Sequence, residues 1–321
     1  MPLRTMAFRV AVAGVLTCAT VPIHAQPPYS RVVVFGTSLS DSGNAFALRG
    51  GTNTPPDYDM DPFLVPQVPY TRGGHHFSNG ATWIEQFAQS RGLAGSTRPA
   101  FAAPDSDATN YAVGAARAYE DGQNLNLSLQ VETFLARFDY AAPSDALYVI
   151  EMGGNDIRDA LFAYVQGQDP ASILQAANVS IAQNVELLYA AGARHFLVWR
   201  VPNVGLTPAM RRLDQLVPGA AALATLLTQG FNAGLDQVVA QLSALPDISI
   251  TRLDAFQLIN AIAATPSAYA LSNVTSPCVT PNVAPFTCQT PDEYLFWDGI
   301  HPTGAVHAVV AHSAAQALDQ N

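Results

Sequence analysis

Four short runs of apolar and largely β-branched residues recur along the chain and predict strands. They cover residues 31–36, 146–152, 195–201 and 248–253. The first run contains Val32-Val33-Val34-Phe35, and such continuous hydrophobicity is typical of a strand buried on both faces. The runs therefore predict a sheet whose strands are covered by other elements.

Segments with the apolar spacing of helices lie between and after these runs, at residues 81–90, 125–138, 171–190, 220–245 and 304–318. Strands that alternate with helices indicate a parallel sheet with helices on both faces. We therefore expect an α/β fold of three layers, α/β/α, around a mostly parallel sheet. Because no repeat, linker or low-complexity segment divides the chain, residues 26–321 are predicted to form a single domain.

Two long segments, residues 50–80 and 271–295, interrupt the alternation. Open α/β sheets bind ligands beyond the carboxyl ends of their strands, so both segments are candidate walls of a site. Four aromatic residues of the first segment could line an acyl or choline pocket, or could equally cover the core: Tyr58, Phe63, Tyr70 and Phe77.

The first long segment also carries three alternating acids, Asp57, Asp59 and Asp61. They could attract a calcium ion, but a solvated acidic loop is favoured because the spaced Gly and terminal Glu of a calcium loop are missing. No pair of histidines has ligand spacing beside a carboxylate. We expect neither a metal nor another cofactor.

The first 25 residues have the pattern of a secretory signal peptide. Arg4 and Arg9 precede an apolar run that extends from Val10 to about Val21, and a small residue, Ala25, ends the segment. Cleavage near Ala25 predicts a secreted or periplasmic protein that could also associate with a surface. A buried N-terminal helix and lipoprotein processing at Cys18 are the alternatives.

Charge and composition exclude several classes of function. All 15 basic residues are Arg, and the formal net charge is -10. Without lysine there is no Schiff-base chemistry and no phosphate-loop lysine, and an acidic chain does not suit nucleic-acid binding. No apolar run approaches the roughly 20 residues of a membrane-spanning helix.

Two cysteines remain after removal of the predicted leader, Cys278 and Cys288. In an oxidising compartment they are expected to form a disulfide, which would restrain the second long segment by about 2 to 3 kcal/mol. Two free thiols are the alternative.

A serine follows the first predicted strand, in the segment Gly36-Thr37-Ser38-Leu39-Ser40-Asp41. At the end of a strand and the entrance of a helix, the hydroxyl of Ser38 can face a crevice, and helix N-terminal amides favour negative charge there. Ser and Asp are also ordinary helix caps. The pattern is not Gly-x-Ser-x-Gly, so the nucleophile elbow of α/β-hydrolases does not apply.

Asp298 and His301 lie near the end of the chain, separated by Gly299 and Ile300. A serine nucleophile needs a base, and the imidazole needs a carboxylate that fixes its tautomer. The short spacing lets Asp298 reach the Nδ1 atom of His301. The alternative is a surface turn in which the two residues are unrelated.

Two further segments offer hydrogen-bond donors for an oxyanion. Asn155 follows a predicted strand in Gly153-Gly154-Asn155-Asp156, and Gly114 lies in an apolar segment at residues 110–116. An Asn amide or an exposed glycine amide can stabilise a developing negative charge. Ordinary turn chemistry and tight strand-to-helix packing are the alternatives.

Together these segments resemble the SGNH, or GDSL-type, serine hydrolase family over essentially the whole chain after the leader. Residues 77–83 also resemble a segment of its larger secreted branch. The resemblance implies a flavodoxin-like sheet, with Ser38 as nucleophile, His301 as base and Asp298 as its orienting acid. It also implies an oxyanion hole formed by the amides of Ser38 and Gly114 and the side chain of Asn155.

One position departs from the family pattern, because the Asp that usually precedes the nucleophile is Thr37 here. In the family that Asp supports the turn around the serine and is not part of the triad. The departure therefore raises a question about local geometry and rate.

The resemblance implies a secreted ester hydrolase, of the carboxylesterase or lipase type, that works through an acyl-enzyme on Ser38. The alternatives are a lysophospholipase or acyltransferase with the same residues, and a weakly active or non-catalytic ligand-binding member. The substrate is expected to be a small-molecule or lipid ester. The acidic net charge favours a neutral or zwitterionic ester over an anionic surface or polymer.

Overall fold

The computed structural model describes residues 29–55, 57–58, 60–71, 74–102 and 107–320. The predicted signal peptide, residues 1–25, lies outside the described residues, as does Asp59. In the described part of the chain, no helix has both the length and the apolar character needed to cross a membrane.

Four parallel strands form the central sheet in the order β1-β2-β3-β4. They are β1 Val32–Gly36, β2 Leu147–Glu151, β3 His195–Arg200 and β4 Ser249–Asp254. These strands confirm the four predicted runs, and every residue of β1 and β2 is buried. Continuous burial requires cover on both faces of the sheet.

Residues 109–113 extend the sheet beyond β1. The amide of Val34 donates to Thr109 O at 3.0 Å, and Tyr111 and Val113 donate to Val34 O and Gly36 O at 2.8 and 3.1 Å. The bridge between Val34 and Asn110 is parallel. The second extended segment of the chain thus lies outside the first, which is the flavodoxin-like order that the family resemblance implies.

Nine helices lie in the described part of the chain: α1 Asn44–Leu48, α2 Trp83–Ser90, α3 Leu127–Arg137, α4 Gly154–Val165, α5 Pro170–Ala191, α6 Pro208–Leu216, α7 Ala220–Leu242, α8 Ala255–Ala264 and α9 Gly304–Asp319. The helices α2 and α9 pack against each other, whereas α5 contacts α3, α4 and α7. Two separate groups of helices around a sheet buried on both faces give the predicted three layers.

The five predicted helical segments correspond to α2, α3, α5, α7 and α9, and α1 is the helix expected after Ser38, whereas α4, α6 and α8 were not predicted. The helix α4 begins at Gly154, within a segment whose Gly, Asn and Asp residues favour turns. Its apolar residues, among them Ile157 and Leu161, pack into the core, and this burial outweighs the unfavourable start.

The two long segments pack against each other. Tyr58, Leu64 and Tyr70 of the first form one apolar cluster with Cys278, Val279 and Trp297. Two short parallel strands, β5 Asn273–Pro277 and β6 Tyr294–Phe296, lie at the two ends of the second segment, and the disulfide between Cys278 and Cys288 lies between them. The aromatic side chains Tyr58 and Tyr70 are buried and cover the core.

One acidic residue of the first segment, Asp61, serves the local backbone. The carboxylate of Asp61 accepts hydrogen bonds from the amides of Phe63 and Val65 at 2.8 and 3.1 Å. Among the residues that the structure describes, no group of three His, Cys, Asp or Glu side chains is arranged to hold a metal ion.

Candidate active site

Ser38 lies in a turn directly after β1 and is partly buried. The turn is closed by a hydrogen bond from Ser40 N to Thr37 O at 3.1 Å. The following helix, α1, begins only at Asn44, so Ser38 is not at the helix entrance that the sequence predicted. The amides at that entrance are taken by Asp41, whose carboxylate accepts from Gly43 and Asn44 at 2.8 and 2.7 Å.

Three side chains form a hydrogen-bonded chain at the carboxyl end of the sheet. The Nε2 atom of His301 lies 2.8 Å from Ser38 Oγ, and its Nδ1 atom lies 2.7 Å from Asp298 Oδ2. Serine and histidine are 263 positions apart in the chain. When Nδ1 donates to the carboxylate, Nε2 can accept the serine proton, which is the arrangement that activates a serine nucleophile.

The carboxylate of Asp298 is fully buried and receives three further hydrogen bonds. Its Oδ1 atom accepts from the amides of Ile300 and His301 at 2.8 and 2.7 Å, and Tyr70 donates its hydroxyl to Oδ2 at 2.8 Å. Burial and the neighbouring carboxylate of Asp298 raise the pKa of Tyr70 well above its usual value. Tyr70 therefore remains a protonated donor.

The sequence presents Tyr70 as one of four aromatic residues in the first long segment and does not predict its contact with Asp298. The contact joins residues 228 positions apart, and a lone Tyr in an irregular segment carries no local signal for such a partner. Phe77 of the same group packs against the ring of His301, with 5.4 Å between the ring centroids.

The loop that carries Asp298 and His301 is pressed against the first long segment. Gly299 donates its amide to Leu64 O at 2.7 Å, and Ala209 donates to Gly299 O at 2.8 Å. A Cβ atom at residue 299 would lie 2.0 Å from Phe63 O, so only glycine permits this approach. The close contact keeps the acid and the base in one rigid turn.

Asn155 lies at the start of α4 and is buried. Its Nδ2 atom donates to Ala116 O at 2.8 Å, and its Oδ1 atom accepts from Arg158 at 3.3 Å. These two contacts fix the orientation of the amide. The residue lines the space beside Ser38 and His301, where an amide can donate to an oxyanion.

The amide of Gly114 has an acceptor within the protein. It donates to Asp41 Oδ2 at 2.8 Å, so the same carboxylate holds both the amides before α1 and the segment beside β1. A Cβ atom at residue 114 would lie 2.3 Å from the ring of Phe77. The glycine is required by this packing, and its amide holds the loop instead of pointing freely at Ser38.

The next residue, Ala115, has a backbone φ of 73°, an uncommon value for a residue with a Cβ atom. It lines the same space as Ser38, Asn155 and His301. Among the described residues, no hydrogen-bond acceptor is found for its amide.

Thr37, the departure from the family pattern, contacts a buried carboxylate. Its amide donates to Glu151 Oε2 at 2.9 Å, and its hydroxyl lies 3.1 Å from each carboxylate oxygen. Ser40 provides a further hydrogen bond. Glu151 ends β2, and burial raises its pKa to about 7 although these hydrogen bonds act in the opposite direction. In the sequence, Glu151 carries no local signal for this contact, because Thr37 lies 114 positions away.

His307 is a second buried histidine near the site. Its Nδ1 atom accepts a hydrogen bond from the amide of Trp83 at 3.1 Å. Burial lowers its pKa to about 3, with smaller contributions from His76 and His301. His307 is therefore neutral and serves the packing of α9 against α2.

Two cavities meet at Ser38, and both are also lined by Asn155, Arg158, Ile300 and His301. The smaller, called the apolar cavity, has a volume of about 90 Å³ and is lined by Trp199, Val201, Val204, Ile259, Phe296 and Val310, among others. The larger, called the polar cavity, has a volume of about 280 Å³ and is lined by Arg49, Gln67, Arg117 and Asn124, among others.

Comparison with known proteins shows the family of this chain. The family model for GDSL-like lipase/acylhydrolase matches residues 32–314. A GDSL esterase/lipase from Arabidopsis thaliana is 27% identical over 326 residues, which cover 90% of this chain and 87% of the relative. A phosphatidylcholine-sterol acyltransferase from Aeromonas hydrophila is 25% identical over 352 residues, which cover 97% and 96% of the two chains.

A crystal structure of a Bacillus subtilis protein aligns with 92% of this chain at 14% identity and a TM-score of 0.41, and the alignment covers 58% of that protein.

Proposed function

Because the chain belongs to the GDSL-like lipase/acylhydrolase family and is an enzyme that hydrolyses ester bonds, we propose that it does so through an acyl-enzyme on Ser38. The observation that carries the proposal is the hydrogen-bonded chain from Ser38 Oγ through His301 to Asp298, with links of 2.8 and 2.7 Å.

The reaction proceeds in two halves. His301 Nε2 takes the hydroxyl proton as Ser38 Oγ bonds to the ester carbonyl carbon, and the same proton then goes to the departing alcohol oxygen as the carbon–oxygen bond breaks. A water molecule next loses a proton to Nε2 as its oxygen bonds to the acyl carbonyl carbon. The bond between that carbon and Ser38 Oγ then breaks, Nε2 returns the proton to Oγ, and the carboxylic acid is released. Asp298 stabilises the imidazolium in both halves without accepting its proton.

The oxyanion of each tetrahedral intermediate is stabilised by hydrogen-bond donors beside Ser38. We assign this role to the amide of Ser38 and the side chain of Asn155, as the sequence predicts. The third donor expected from the sequence is the amide of Gly114, which hydrogen-bonds Asp41. We therefore assign the third hydrogen bond to the adjacent amide of Ala115, because Ala115 lines the same space as Ser38.

Replacement of the nucleophile tests the proposal. Ser38→Ala should lower kcat on a soluble ester by roughly 10⁶-fold, since the acyl-enzyme can no longer form. A fluorophosphonate probe should label the wild-type protein at Ser38 and should not label the variant. Ser42→Ala, four residues further on, is the matched control and should be labelled normally. Turnover that survives in Ser38→Ala would refute the acyl-enzyme on this residue.

We also propose that the enzyme is secreted or periplasmic after cleavage near Ala25. Two observations support this: the basic and apolar pattern of residues 1–25, and the disulfide between Cys278 and Cys288, which is typical of an oxidising compartment. N-terminal sequencing of protein from the culture medium or the periplasm tests it, and a mature chain that retains Arg4 and Arg9 would contradict it.

Acyl transfer is a second candidate function, favoured by the similarity to the acyltransferase of Aeromonas hydrophila. The same residues would form the acyl-enzyme, and an alcohol would replace water in the second half of the reaction. Product analysis in the presence of an added alcohol separates the two activities, because transfer gives a new ester and hydrolysis gives the free acid.

A further inference from the structure

The two cavities at Ser38 differ in chemistry, and an ester has two halves. The carbonyl carbon must lie beside Ser38 Oγ, so the acyl and alcohol halves extend in different directions from the point where the cavities meet. The apolar cavity, at about 90 Å³, suits a short acyl chain. The polar cavity, at about 280 Å³, is left for the alcohol half.

Three arginines line the polar cavity: Arg49, Arg117 and Arg158. Its lining includes no Asp or Glu among the residues that the structure describes. The chain has 15 basic and 25 acidic residues, so a group of three arginines without a facing acid runs against the overall composition.

One of these arginines is neutralised inside the protein. Arg117 donates to both carboxylate oxygens of Asp159, at 2.8 and 3.1 Å, and lies 3.5 Å from Asp121. Its charge is therefore largely balanced by two acids that lie outside the lining of the cavity.

The other two arginines have no such partner. Within the described ranges, neither Arg49 nor Arg158 forms an ion pair with a carboxylate. Arg158 donates one hydrogen bond, to Asn155 Oδ1 at 3.3 Å, which leaves most of its donors for a ligand. Burial and the positive charge of Arg117 lower the pKa of Arg158 and outweigh the opposite effect of the carboxylates of Asp159, Asp61 and Asp298, so an anion beside the guanidinium would be stabilising.

We propose that the alcohol half of the substrate carries an anionic group, a phosphate or a carboxylate, that binds Arg158 and Arg49 in the polar cavity. The inference rests on the proposed function, since it concerns the ester that Ser38 attacks. Guanidinium groups bind both kinds of oxyanion through paired hydrogen bonds. A zwitterionic ester satisfies the proposal as well, because its phosphate can occupy this cavity.

Three matched esters test the inference: 1-butyrylglycerol, which is neutral, the butyryl ester of glycerol 3-phosphate, and the butyryl ester of glycerate. They share an acyl chain and differ in the group at the end of the alcohol half. We expect kcat/KM to be roughly tenfold higher for at least one anionic ester than for the neutral one. The ester with the larger gain identifies phosphate or carboxylate as the group that binds, and increased ionic strength should reduce the gain.

Arginine variants locate the effect in the polar cavity. Arg49→Gln should lower kcat/KM about fivefold more for the preferred anionic ester than for the neutral ester. Arg158→Gln should lower kcat/KM roughly tenfold more for the anionic ester than for the neutral ester. Arg252→Gln is the matched control, because Arg252 is exposed and does not line the cavity.

Equal kcat/KM for all three esters, or an equal loss for neutral and anionic esters in both arginine variants, would overturn the inference. Ser38→Ala, assayed on the same esters, separates this failure from that of the proposed function. If Ser38→Ala is inactive but the wild-type enzyme hydrolyses all three esters equally, only the inference of an anionic alcohol half is wrong. If Ser38→Ala retains activity, the proposed function itself has failed.

Discussion

Two buried carboxylates, Asp298 and Glu151, hold the residues around the nucleophile, and their surroundings differ. Asp298 lies 2.7 Å from the imidazole of His301 and also binds Tyr70 and two backbone amides. Glu151 binds the amide and hydroxyl of Thr37 together with the hydroxyl of Ser40. Both side chains are almost completely inaccessible, at 0% and 2% exposure.

The difference lies in the charge of the donors. In the proposed mechanism, Asp298 faces an imidazole that becomes positive during the reaction, so its charge gains a counterion at each turnover. Glu151 has only neutral hydrogen-bond donors, and burial raises its pKa to about 7. We therefore propose that equal burial serves two purposes: Asp298 stabilises a transient charge, whereas Glu151 holds the backbone next to Ser38.

Asp298→Asn should give the largest effect, a loss of about 10⁴-fold in kcat. The amide keeps the shape but no longer selects the tautomer in which Nε2 can accept the serine proton. Steady-state kinetics on a soluble ester measure the loss. Asp292→Asn, an exposed acid a few residues earlier, is the control. A loss below tenfold in Asp298→Asn would show that Asp298 does not have the role that separates it from Glu151.

Thr37→Asp should destabilise the protein by about 3–5 kcal/mol, because it buries a second carboxylate beside Glu151 without a cation. The exchange variant, Thr37→Asp with Glu151→Thr, restores one carboxylate and one hydroxyl and should recover most of the stability and kcat. Chemical denaturation and kcat are measured for both. If the exchange variant is no more stable and no more active than Thr37→Asp alone, Glu151 does not hold this turn.

Glu151→Gln should change how stability depends on pH. The pKa of Glu151 is raised in the folded protein, from 4.5 to about 7, so its stabilising contribution is present at low pH and lost as pH rises through 7. The free energy of unfolding of Glu151→Gln, relative to that of the wild type, should therefore rise by on the order of 3 kcal/mol between pH 4.5 and 7.

The measurement for Glu151→Gln is the free energy of unfolding by urea at several pH values. Asp41 and Asp156, whose pKa values burial raises to about 6, are present in both proteins and cancel in the difference. Glu186→Gln, at an exposed position on α5, is the matched control. A difference between Glu151→Gln and wild type that is constant with pH would contradict the prediction.

Tyr70→Phe should give the smallest effect, about a tenfold loss in kcat, because it removes one neutral donor from Asp298 and leaves the two amides and His301. The KM value should change little, since Tyr70 does not line either cavity. Tyr164→Phe, an exposed tyrosine on α4, is the control. An unchanged kcat would mean that Asp298 does not depend on this donor.

The sequence predicted those parts of the molecule whose signals are local. The strand β1 is one apolar run, and Asp298 and His301 are three positions apart, so their contact follows from a single short motif. The pairing of that motif with Ser38, 263 positions away, came from the family resemblance and not from spacing.

The remaining parts of the site depend on contacts between distant segments. Glu151 and Thr37 are 114 positions apart, and Gly114 and Asp41 are 73 apart. A Glu at the end of a predicted strand is unremarkable until the fold brings it under the Ser38 turn. Likewise, a motif can identify a glycine without showing that another side chain already occupies its amide.

Charge illustrates the same limit. The net charge of -10 led to the prediction of a neutral or zwitterionic substrate, but a sum over the chain does not show where charges lie. The fold brings Arg49, Arg117 and Arg158 to one cavity although they come from separate segments. The local field at the site can thus have the opposite sign to that of the whole molecule.

The segment from Arg49 to Tyr70 has a consequence for protein engineering. Arg49 and Gln67 line the polar cavity, whereas Tyr70 binds the acid of the triad. Point libraries at Arg49 and Gln67 can therefore change leaving-group selectivity while the acid keeps its donor. Exchange of the whole segment for that of a homologue would alter selectivity and catalytic rate together, so selection for new substrates favours substitutions here over loop grafts.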